Sequence, residues 1–304
     1  MFNRLLVPLD GSAQSAAALP LARTLARATS AAVTLLRVVP DQDSAPEATA
    51  SLKRMADELA RSEIQVESVV GHGEPADGIV QQINAQAADL VIMRAHGRAG
   101  LGRAVLGSVV DRVLANSPVP VLTLRAGGRR VSQVRTLLVP VDGSPGGALA
   151  LSAATGLARA TGAALRLVQV VVPIPASVYA ALLQSGGGSI DPVWDQDAEG
   201  AAQAYVQALV VRLRGAGLRV DGQVRVAPSV ADAIVVTADE EEADLIVMST
   251  RALVGPARAL LGSVADAVVR TAQCPVMLVH RELTGNSMPP TSSESGPATP
   301  VTRG

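Results

Sequence analysis

Aromatic residues, cysteine, lysine and an excess of either charge are all nearly missing from this sequence. Aromatic residues make up 1% of the 304-residue chain, so the cores must be built from Ala, Val and Leu. The same scarcity disfavours roles that stack bases or sugars on aromatic rings. A net charge of −1 provides no basic stripe for DNA or RNA. We therefore expect no nucleic-acid partner.

The single cysteine and the single lysine narrow the chemistry further. Because Cys274 stands alone, an intramolecular disulfide and a thiolate zinc cluster are excluded. Its place before Pro275 favours a small apolar role over a reactive thiol. Because Lys53 stands alone, there is almost no place for a Schiff-base lysine or a lysine phosphate clamp.

Long apolar runs are missing as well. No segment approaches roughly 18 unbroken apolar residues, the length of a membrane span. The first residues run directly into an apolar strand without a signal-peptide pattern. With 48% hydrophobic and 17% charged residues, the composition is typical of well-packed globular cores. We expect a cytoplasmic protein with no membrane partner.

What the chain does contain is an internal repeat. Leu5–Ser12 reads Leu-Leu-Val-Pro-Leu-Asp-Gly-Ser and recurs with one change 132 residues later, at Leu137–Ser144. The segments Ala88–Met93 and Leu106–Val109 each recur 155 residues later. Three blocks in the same order indicate two copies of one module. The second copy carries 23 extra residues between its first block and its later ones.

The repeat sets the expected domain organisation. We predict a first domain over residues 1–126, a linker over 127–133 and a second domain over 134–283. The insertion falls at about 173–200, where three consecutive glycines and several Pro and Asp residues indicate a long loop. The tail over 284–304, rich in Ser, Thr, Pro and Gly, is predicted to be disordered.

Each copy alternates short apolar runs with helical patterns. In the first copy, the predicted strands lie near residues 5–9, 33–38, 65–70, 90–93 and 121–124, and the predicted helices near 14–29, 47–62, 76–87 and 108–116. Continuous Val, Ile and Leu runs are typical of strands buried on both faces, paired in parallel through right-handed crossovers. The predicted fold class is α/β, with two tandem doubly wound parallel five-stranded sheets. Such sheets bind ligands at the carboxyl ends of strands beside the switch point.

The most informative segment follows the fourth strand and ends at Ser108. Its glycines allow backbone N–H groups to approach an anion, and Ser108 stands where a helix begins. A helix N-terminus attracts phosphate, but Ser108 as a plain N-cap needs no ligand. Taken alone, the segment favours the N-cap interpretation.

Two aspartates supply a second candidate element. Asp10 and Asp142 follow the first strand of each copy and precede Gly-Ser turns. An aspartate at this place either accepts hydrogen bonds from a ribose or base, or organises its own turn. The sequence leaves both interpretations open.

The usual catalytic patterns do not appear. Gly97 and Gly102 are followed by Arg103 rather than by Lys-Ser or Lys-Thr, so the segment is not a P-loop, and no G-x-G-x-x-G follows the first strand. No Ser-His-Asp order, paired carboxylate site or metal-ligand spacing is recognisable. His72 and His280 are interpreted as surface or strand-end residues. We expect a protein that is not an enzyme, with no catalytic or metal-binding residues.

Taken together, these motifs resemble the universal stress protein family in a tandem two-domain arrangement. The resemblance rests on the Val-Pro-Leu-Asp-Gly-Ser blocks, the Asp-Leu-x-x-Met strands and the Leu-Gly-Ser-Val blocks, and on three further segments: Gly73-Glu74-Pro75-Ala76, His96-Gly97-Arg98 and Ser117-Pro118-Val119-Pro120-Val121. It covers roughly residues 1–126 and 133–283. It implies that family's fold, which is similar to the adenine nucleotide alpha hydrolases, and a role in regulating the stress response.

The resemblance also implies ATP as a ligand. ATP-binding members carry Gly-x-x-Gly, nine residues, and then Gly-Ser or Gly-Thr, and both copies keep the closing Gly-Ser. Arg94 replaces the first glycine in the first copy, whereas Ser249 and Ala252 replace both glycines in the second. The family's histidine position is His96 in the first copy and Arg251 in the second. The first copy is therefore expected to be the better ATP site.

Particular contacts follow from the same resemblance. The residues expected around adenine and ribose in the first copy are Pro8, Leu9, Asp10 and Val38. Those expected around the ribose and phosphates are Met93, His96, Gly97, Gly107, Ser108 and Val109. The matching positions in the second copy are Pro140, Val141, Asp142, Val170, Met248, Gly262, Ser263 and Val264. Arg98 and Arg103 either pair with phosphate or are solvated loop charges.

Three functions stay open at this point. The first is an ATP-binding stress regulator, either a homodimer or a chain whose two copies pair with each other. The second is an interaction module without a ligand, since the fifth strands, Val121–Leu124 and Val276–Val279, lie at sheet edges, and exposed apolar edges invite pairing. The third is a slow ATPase, for which the sequence supplies no base, nucleophile or metal ligand.

Overall fold

Short runs of Val, Ile and Leu form the strands, and Ala- and Leu-rich amphipathic segments form the helices between them. The computed structural model describes residues 2–95, 106–174, 193–250 and 261–280. The elements of the first half are β1 (Arg4–Pro8), α1 (Ala13–Ala16), α2 (Leu19–Thr29), β2 (Ala32–Val39), α3 (Ala45–Ala60), β3 (Val66–His72), α4 (Pro75–Ala85), β4 (Leu90–Arg94), α5 (Ser108–Asn116) and β5 (Val121–Leu124). Those of the second half are β6 (Thr136–Pro140), α6 (Pro145–Thr161), β7 (Ala164–Val171), α7 (Val193–Gly215), β8 (Val220–Val226), α8 (Val230–Glu240), β9 (Leu245–Thr250), α9 (Ser263–Thr271) and β10 (Val276–His280).

The described strands form one ten-stranded sheet in the order β3-β2-β1-β4-β5-β10-β9-β6-β7-β8. Within each half all neighbours are parallel, which confirms the predicted fold class. The halves meet where β5 and β10 pair antiparallel, with Leu122 opposite Met277. The two predicted sheets are therefore joined edge to edge, because each fifth strand covers the other's open backbone groups.

The helix predicted over 14–29 is interrupted in the first half. α1 ends at Ala16, and α2 begins at Leu19 with Pro20 in its first turn. Proline lacks a backbone N–H and disfavours a helical conformation in the residue before it, so it starts a new helix. Ser152 occupies the equivalent place in the second half, where α6 runs unbroken from Pro145 to Thr161.

A repeated aspartate fastens the fourth strand of each half to the first. Asp89 accepts hydrogen bonds from the backbone N–H groups of Asn3, at 2.7 Å, and Arg4, at 3.0 Å. Asp244 accepts from Arg135 and Thr136 in the same way, at 2.8 and 3.1 Å. These contacts hold the amino ends of the two strands together. Because the strands are parallel, their carboxyl ends also lie side by side, at the switch point where a ligand site is expected.

Three predicted segments lie outside the repeat: the insertion, the tail and the linker between the halves. Part of the insertion predicted as a loop over 173–200 is helical, because the Ala-rich stretch from Val193 onward starts α7. Residues 175–192 of that insertion and the predicted tail over 284–304 lie outside the described residues. Residues 127–133 are bound to both halves, with Val131 buried and Arg129 N–H donating to the Gln273 carbonyl. No helix in the described ranges is long and apolar enough to cross a membrane.

Two apolar layers cover the two faces of the sheet, and both continue through the two halves. One contains Leu5 and Leu35 from the first half with Leu137 and Leu167 from the second. The other contains residues of both fifth strands, such as Val121 and Val276. The halves therefore share their cores, and each half's site lies on a common rigid frame.

Candidate functional site

In each half, the connections that follow two neighbouring strands run in opposite directions along the sheet, and the ends of these two strands form the switch point. In the first half it lies between β1 and β4, and in the second between β6 and β9. Asp10 and Asp142 follow β1 and β6 at these places, and both carboxylates are exposed. The structure therefore puts the two candidate aspartates at equivalent switch points, where ligands of such sheets bind.

Both aspartates organise their own turns. Asp10 Oδ1 accepts a hydrogen bond from Ser12 N–H at 2.9 Å, and Asp142 Oδ1 accepts one from Ser144 N–H at the same distance. In the second half, Asp142 Oδ2 accepts no hydrogen bond from the described part of the chain. One oxygen of Asp142 thus stabilises the turn, and the other can accept a ligand hydroxyl.

Helices begin at the predicted glycine-serine pairs. α5 begins at Ser108 and α9 at Ser263, with Gly107 and Gly262 as N-caps. Because glycine has no side chain, neither N-cap residue can accept a side-chain hydrogen bond from the first turn of its helix. The interpretation of Ser108 as an N-cap is therefore wrong by one residue, because a glycine occupies the cap position. Without a capping side chain, the first N–H groups of each helix are left for solvent or an anion.

The second half contains a cavity of about 460 Å³ at its switch point. All eight residues predicted for this half line it: Pro140, Val141, Asp142, Val170, Met248, Gly262, Ser263 and Val264. The lining residues that the sequence reasoning missed are Ser144, Gly147, Val168, Val230, Ile234, Ser249 and Ala265. Most of these could have been found by extending the repeat alignment to the helix starts and the inward-facing strand positions.

Two helix N-termini open onto this second-half cavity. Ser144 caps α6 by accepting a hydrogen bond from Gly147 N–H at 3.1 Å, and Gly147 lines the cavity. The N-terminus of α9 lines it from the other side. Backbone N–H groups and helix dipoles of this kind attract phosphate oxygens. The walls away from them are apolar, including Val168, Val170 and Ile234.

The equivalent cavity of the first half measures about 160 Å³. Of the residues predicted there, Pro8, Leu9, Asp10, Val38, Met93 and Val109 line it. Gly107 and Ser108 do not line it, unlike Gly262 and Ser263 in the second half. His96 and Gly97 lie outside the described residues, as do Arg98, Arg103, Arg251 and Ala252.

The two cavities differ at six aligned lining positions, and the three largest changes in side-chain size all leave more room in the second half. Where the second half has Ser249, Gly147 and Ala265, the first has Arg94, Ser15 and Val110, and all six line their cavities. Each first-half side chain is the larger of its pair. Arg94 is the largest, and its Nε is buried without a hydrogen-bond partner. Volume that a nucleotide could occupy in the second half is filled by protein in the first.

Gly147 also determines where the carboxylate of Asp142 can sit. A Cβ atom added at Gly147 would lie 2.7 Å from Asp142 Oδ1, which is closer than van der Waals contact permits. In the first half, Ser15 occupies this position, and its Oγ accepts a hydrogen bond from Asp10 N–H at 3.3 Å. The two aspartates therefore have the same turn but different neighbours.

The two histidines outside the motifs and the single cysteine lie at or next to the ends of strands. His72 is the exposed last residue of β3, and His280 ends β10. Cys274 is buried, and this burial raises the pKa of its thiol to about 11, which keeps it protonated at neutral pH. Over the described ranges, no group of three or more His, Cys, Asp or Glu side chains could hold a metal ion.

Comparison with known proteins finds the same family in both halves of the chain. The model of the Universal stress protein family matches residues 1–125 and 133–280. Universal stress protein YxiE of Bacillus subtilis is 30% identical over 148 residues, covering 41% of this chain and 100% of the relative. Universal stress protein MJ0531 of Methanocaldococcus jannaschii is 30% identical over 144 residues, covering 41% of this chain and 83% of the relative.

Solved structures show the same fold over both halves. A universal stress protein from Archaeoglobus fulgidus superposes with a TM-score of 0.74 at 21% identity, covering 92% of this chain and 99% of that chain. A protein from Pseudomonas aeruginosa described as a putative universal stress protein superposes with a TM-score of 0.67 at 22% identity, covering 92% and 93%. With the repeated motifs, the strand order and two family matches that span most of its length, the chain belongs to the Universal stress protein family.

Proposed function

We propose that this protein is an ATP-binding regulator of the stress response, with its principal nucleotide site in the second half. The observation that carries the proposal is the cavity of about 460 Å³ between β6 and β9, onto which the N-termini of α6 and α9 both open. Ligand pockets for small molecules are typically about 300–1,000 Å³. The second-half cavity lies within that range, and the first-half cavity, at about 160 Å³, lies below it.

The lining of the second-half cavity fits the three parts of an adenine nucleotide. Its Val168, Val170 and Ile234 walls offer the apolar surface that a base requires. Asp142 Oδ2 can accept a hydrogen bond from a ribose hydroxyl. The first N–H groups of α9 can bind the phosphates, because no side chain caps them and they lie at the positive end of the helix dipole. In α6, Pro145 has no N–H and Gly147 N–H already donates to Ser144 Oγ, so this helix contributes mainly its dipole.

This assignment reverses the order that the glycine pattern indicates. The pattern favours the first half because Gly97 and His96 are kept there. In the described residues, however, Arg94, Ser15 and Val110 reduce the volume of that half's cavity. A small side chain that lines the cavity, such as Ser249, supports binding more directly than a glycine kept in the sequence motif.

We further propose that the protein binds ATP without hydrolysing it at a functional rate, so that bound nucleotide acts as a signal. Asp142 is the one carboxylate among the described residues that line the cavity; its Oδ1 is engaged by Ser144 N–H, and its Oδ2 is assigned above to the ribose hydroxyl. A general base needs a free lone pair aimed at the attacking water. The expected result is that ATP recovered after prolonged incubation with the protein is intact.

The alternative function as an interaction module is less well supported by the strand pairing. Both fifth strands, which could have recruited a partner chain, pair with each other within the chain. A homodimer would have to use another surface, and dimerisation stays a prediction.

Isothermal titration of ATP into the full chain tests the proposed site, with Asp142→Ala and Asp10→Ala as a matched pair. Both variants lose the same 2.9 Å turn hydrogen bond, so both should lose similar stability, about 1 kcal/mol. ATP affinity should fall about tenfold in Asp142→Ala alone, because only there is a ligand hydrogen bond lost. Absence of ATP binding by the unmodified chain, or equal losses in the two variants, would contradict the proposal.

A further inference from the structure

A third concave site lies outside the second-half cavity and shares Arg94 with the first-half cavity. This linker groove, with a volume of about 540 Å³, lies between the first two helices and the segment that joins the halves. Its apolar side is formed by small side chains of α1 and α2, together with Leu124. Its polar side consists of four arginines: Arg94, Arg125, Arg129 and Arg130. No acidic residue lines the groove within the described part of the chain.

The backbone that carries three of these arginines is fixed. Arg129 N–H donates to the Gln273 carbonyl at 2.6 Å, and Thr24 Oγ1 donates to the Ser132 carbonyl at 2.7 Å. Gly128 packs so closely that an added Cβ would lie 2.8 Å from the Gln273 oxygen. The linker is thus fastened to α2 on one side and to the second half on the other, which preorganises the groove.

The charges of the four arginines are not compensated. Among the described residues, none of the four forms an ion pair, whereas Arg112, Arg225 and Arg270 elsewhere each pair with carboxylates. Arg129 donates to the Ala243 carbonyl. The Nε atom of Arg94 is buried without a hydrogen-bond partner. Arg125 Nη1 donates to the Thr271 carbonyl at 3.5 Å, which is likewise an uncharged partner. Four arginines around one groove, without a carboxylate among its described lining residues, favour an anion in it.

We propose that the linker groove binds an oligophosphate, meaning a di- or triphosphate chain that is either free or part of an organic molecule. Guanidinium groups bind phosphate oxygens through paired, charge-assisted hydrogen bonds, and several phosphates in a row match several arginines better than one. The groove volume accommodates such a chain, and its apolar side accommodates a small organic group. This site is separate from the proposed ATP site in the second half.

Titration calorimetry with inorganic tripolyphosphate tests the proposal on the full chain. The variant is Arg125→Gln with Arg130→Gln, which leaves Arg94 intact because Arg94 also lines the first-half cavity. The matched control is Arg61→Gln with Arg159→Gln, two exposed arginines that lie outside the groove. Tripolyphosphate affinity should fall about tenfold or more in the groove variant and stay unchanged in the control. ATP affinity at the second-half site should be the same in both.

Further arms define the ligand and the failure of the proposal. Orthophosphate should bind much more weakly than tripolyphosphate, because it can engage fewer arginines. In an Asp142→Ala background, binding at the groove is the part that is lost when Arg125→Gln and Arg130→Gln are added. If that part is tighter for tripolyphosphate than for ATP, the ligand is a free chain, and the reverse order identifies a phosphorylated organic molecule. No tripolyphosphate binding by the unmodified chain, or equal binding by the groove variant and the control, would overturn the proposal, even if ATP still binds in the second half.

Discussion

The two halves of the sheet have the same strand order and the same aspartate turn, yet their cavities measure about 160 and about 460 Å³. The frame is conserved between the copies because its contacts are mostly backbone pairings and apolar packing. The ligand space differs because lining side chains differ, and the three largest changes in size are Arg94, Ser15 and Val110 against Ser249, Gly147 and Ala265. A repeat can therefore keep one site open and fill the other without altering the fold.

The largest expected effect comes from giving the second half the arginine of the first. Ser249→Arg should place a long side chain in the second cavity, as Arg94 does in the first, and lower ATP affinity about 100-fold through steric exclusion. Ser249→Ala is the control and should bind ATP nearly as the unmodified chain does. Calorimetric titration measures the ATP affinity of both variants. Unchanged ATP affinity in Ser249→Arg would show that an arginine at this position, such as Arg94 in the first half, does not close the site.

The reverse exchange should open the first half. Arg94→Ser removes the largest side chain in the first cavity and should raise ATP stoichiometry from one site per chain toward two. Because Ser15 and Val110 remain, we expect the new site to be weaker than the original by about tenfold. Equilibrium dialysis with labelled ATP gives the stoichiometry. Arg125→Ser, which changes the linker groove alone, should leave it at one.

A smaller effect is expected from Gly147→Ala in α6. The new Cβ would lie 2.7 Å from Asp142 Oδ1, so the carboxylate must move, and ATP affinity should fall a few-fold, roughly 0.5–1 kcal/mol. Gly156→Ala in the same helix is the control, since nothing lies within 4 Å of its added Cβ. Both variants replace a helical glycine, so Gly156→Ala should keep or raise the melting temperature. The melting temperature of Gly147→Ala should be lower than that of Gly156→Ala, because the displaced carboxylate also holds the turn through Ser144 N–H. Equal ATP affinity in the two variants would mean that the position of Asp142 is unimportant.

The smallest expected effect is a change in the stability of the fold, and it concerns α5 and α9, whose first residues lie near the two cavities. Asp111 on α5 and Asp266 on α9 are equivalent in the repeat, and both contact Arg270, whose counterpart in the first half is Ala115. Burial raises the pKa of Asp111, with repulsion from Asp266 adding to the rise and attraction to Arg270 opposing it. Arg270→Met should destabilise the fold at pH 7.5 by about 0.5–1 kcal/mol, because these groups are partly exposed.

The pH dependence of that variant gives its signature. A carboxyl with a raised pKa in the folded state binds its proton more tightly there than in the unfolded state, so acidification through that pKa favours folding. Without Arg270 the two carboxylates repel each other at neutral pH, and protonation relieves the repulsion. Thermal melts should therefore show a smaller loss at acidic pH than at pH 7.5. Arg112→Met breaks pairs to Glu74 and Asp77 within the first half. These pairs do not include the partly buried Asp111, so this variant should show a weaker trend.

Much of the fold could be predicted because the signals are local or repeated. Buried parallel strands require unbroken apolar runs, and the repeat gave both halves one element order. The break at Pro20 was missed because the apolar pattern continues across it. Whether β5 and β10 pair within the chain or between chains could not be predicted, since both arrangements bury the same strand edges.

The position of the candidate site could be predicted from the sequence, but the volume of its cavity could not. Asp142, Met248 and Gly262 could be placed at one cavity because strand ends and helix starts converge at a switch point. The volume depends on side chains that come from different elements, such as Ser15 on α1 and Arg94 on β4, and their convergence appears only in the folded chain. The linker groove was missed for the same reason, because Arg94 and Arg130 are far apart in the sequence.

A crystal structure of the full chain grown with ATP tests the central claim most directly, because it shows which half holds the nucleotide. The account predicts ATP in the second-half cavity, with its phosphates at the N-terminus of α9 and a ribose hydroxyl near Asp142, and a first-half cavity still filled by Arg94. Nucleotide bound in the first half with the second half empty would contradict it.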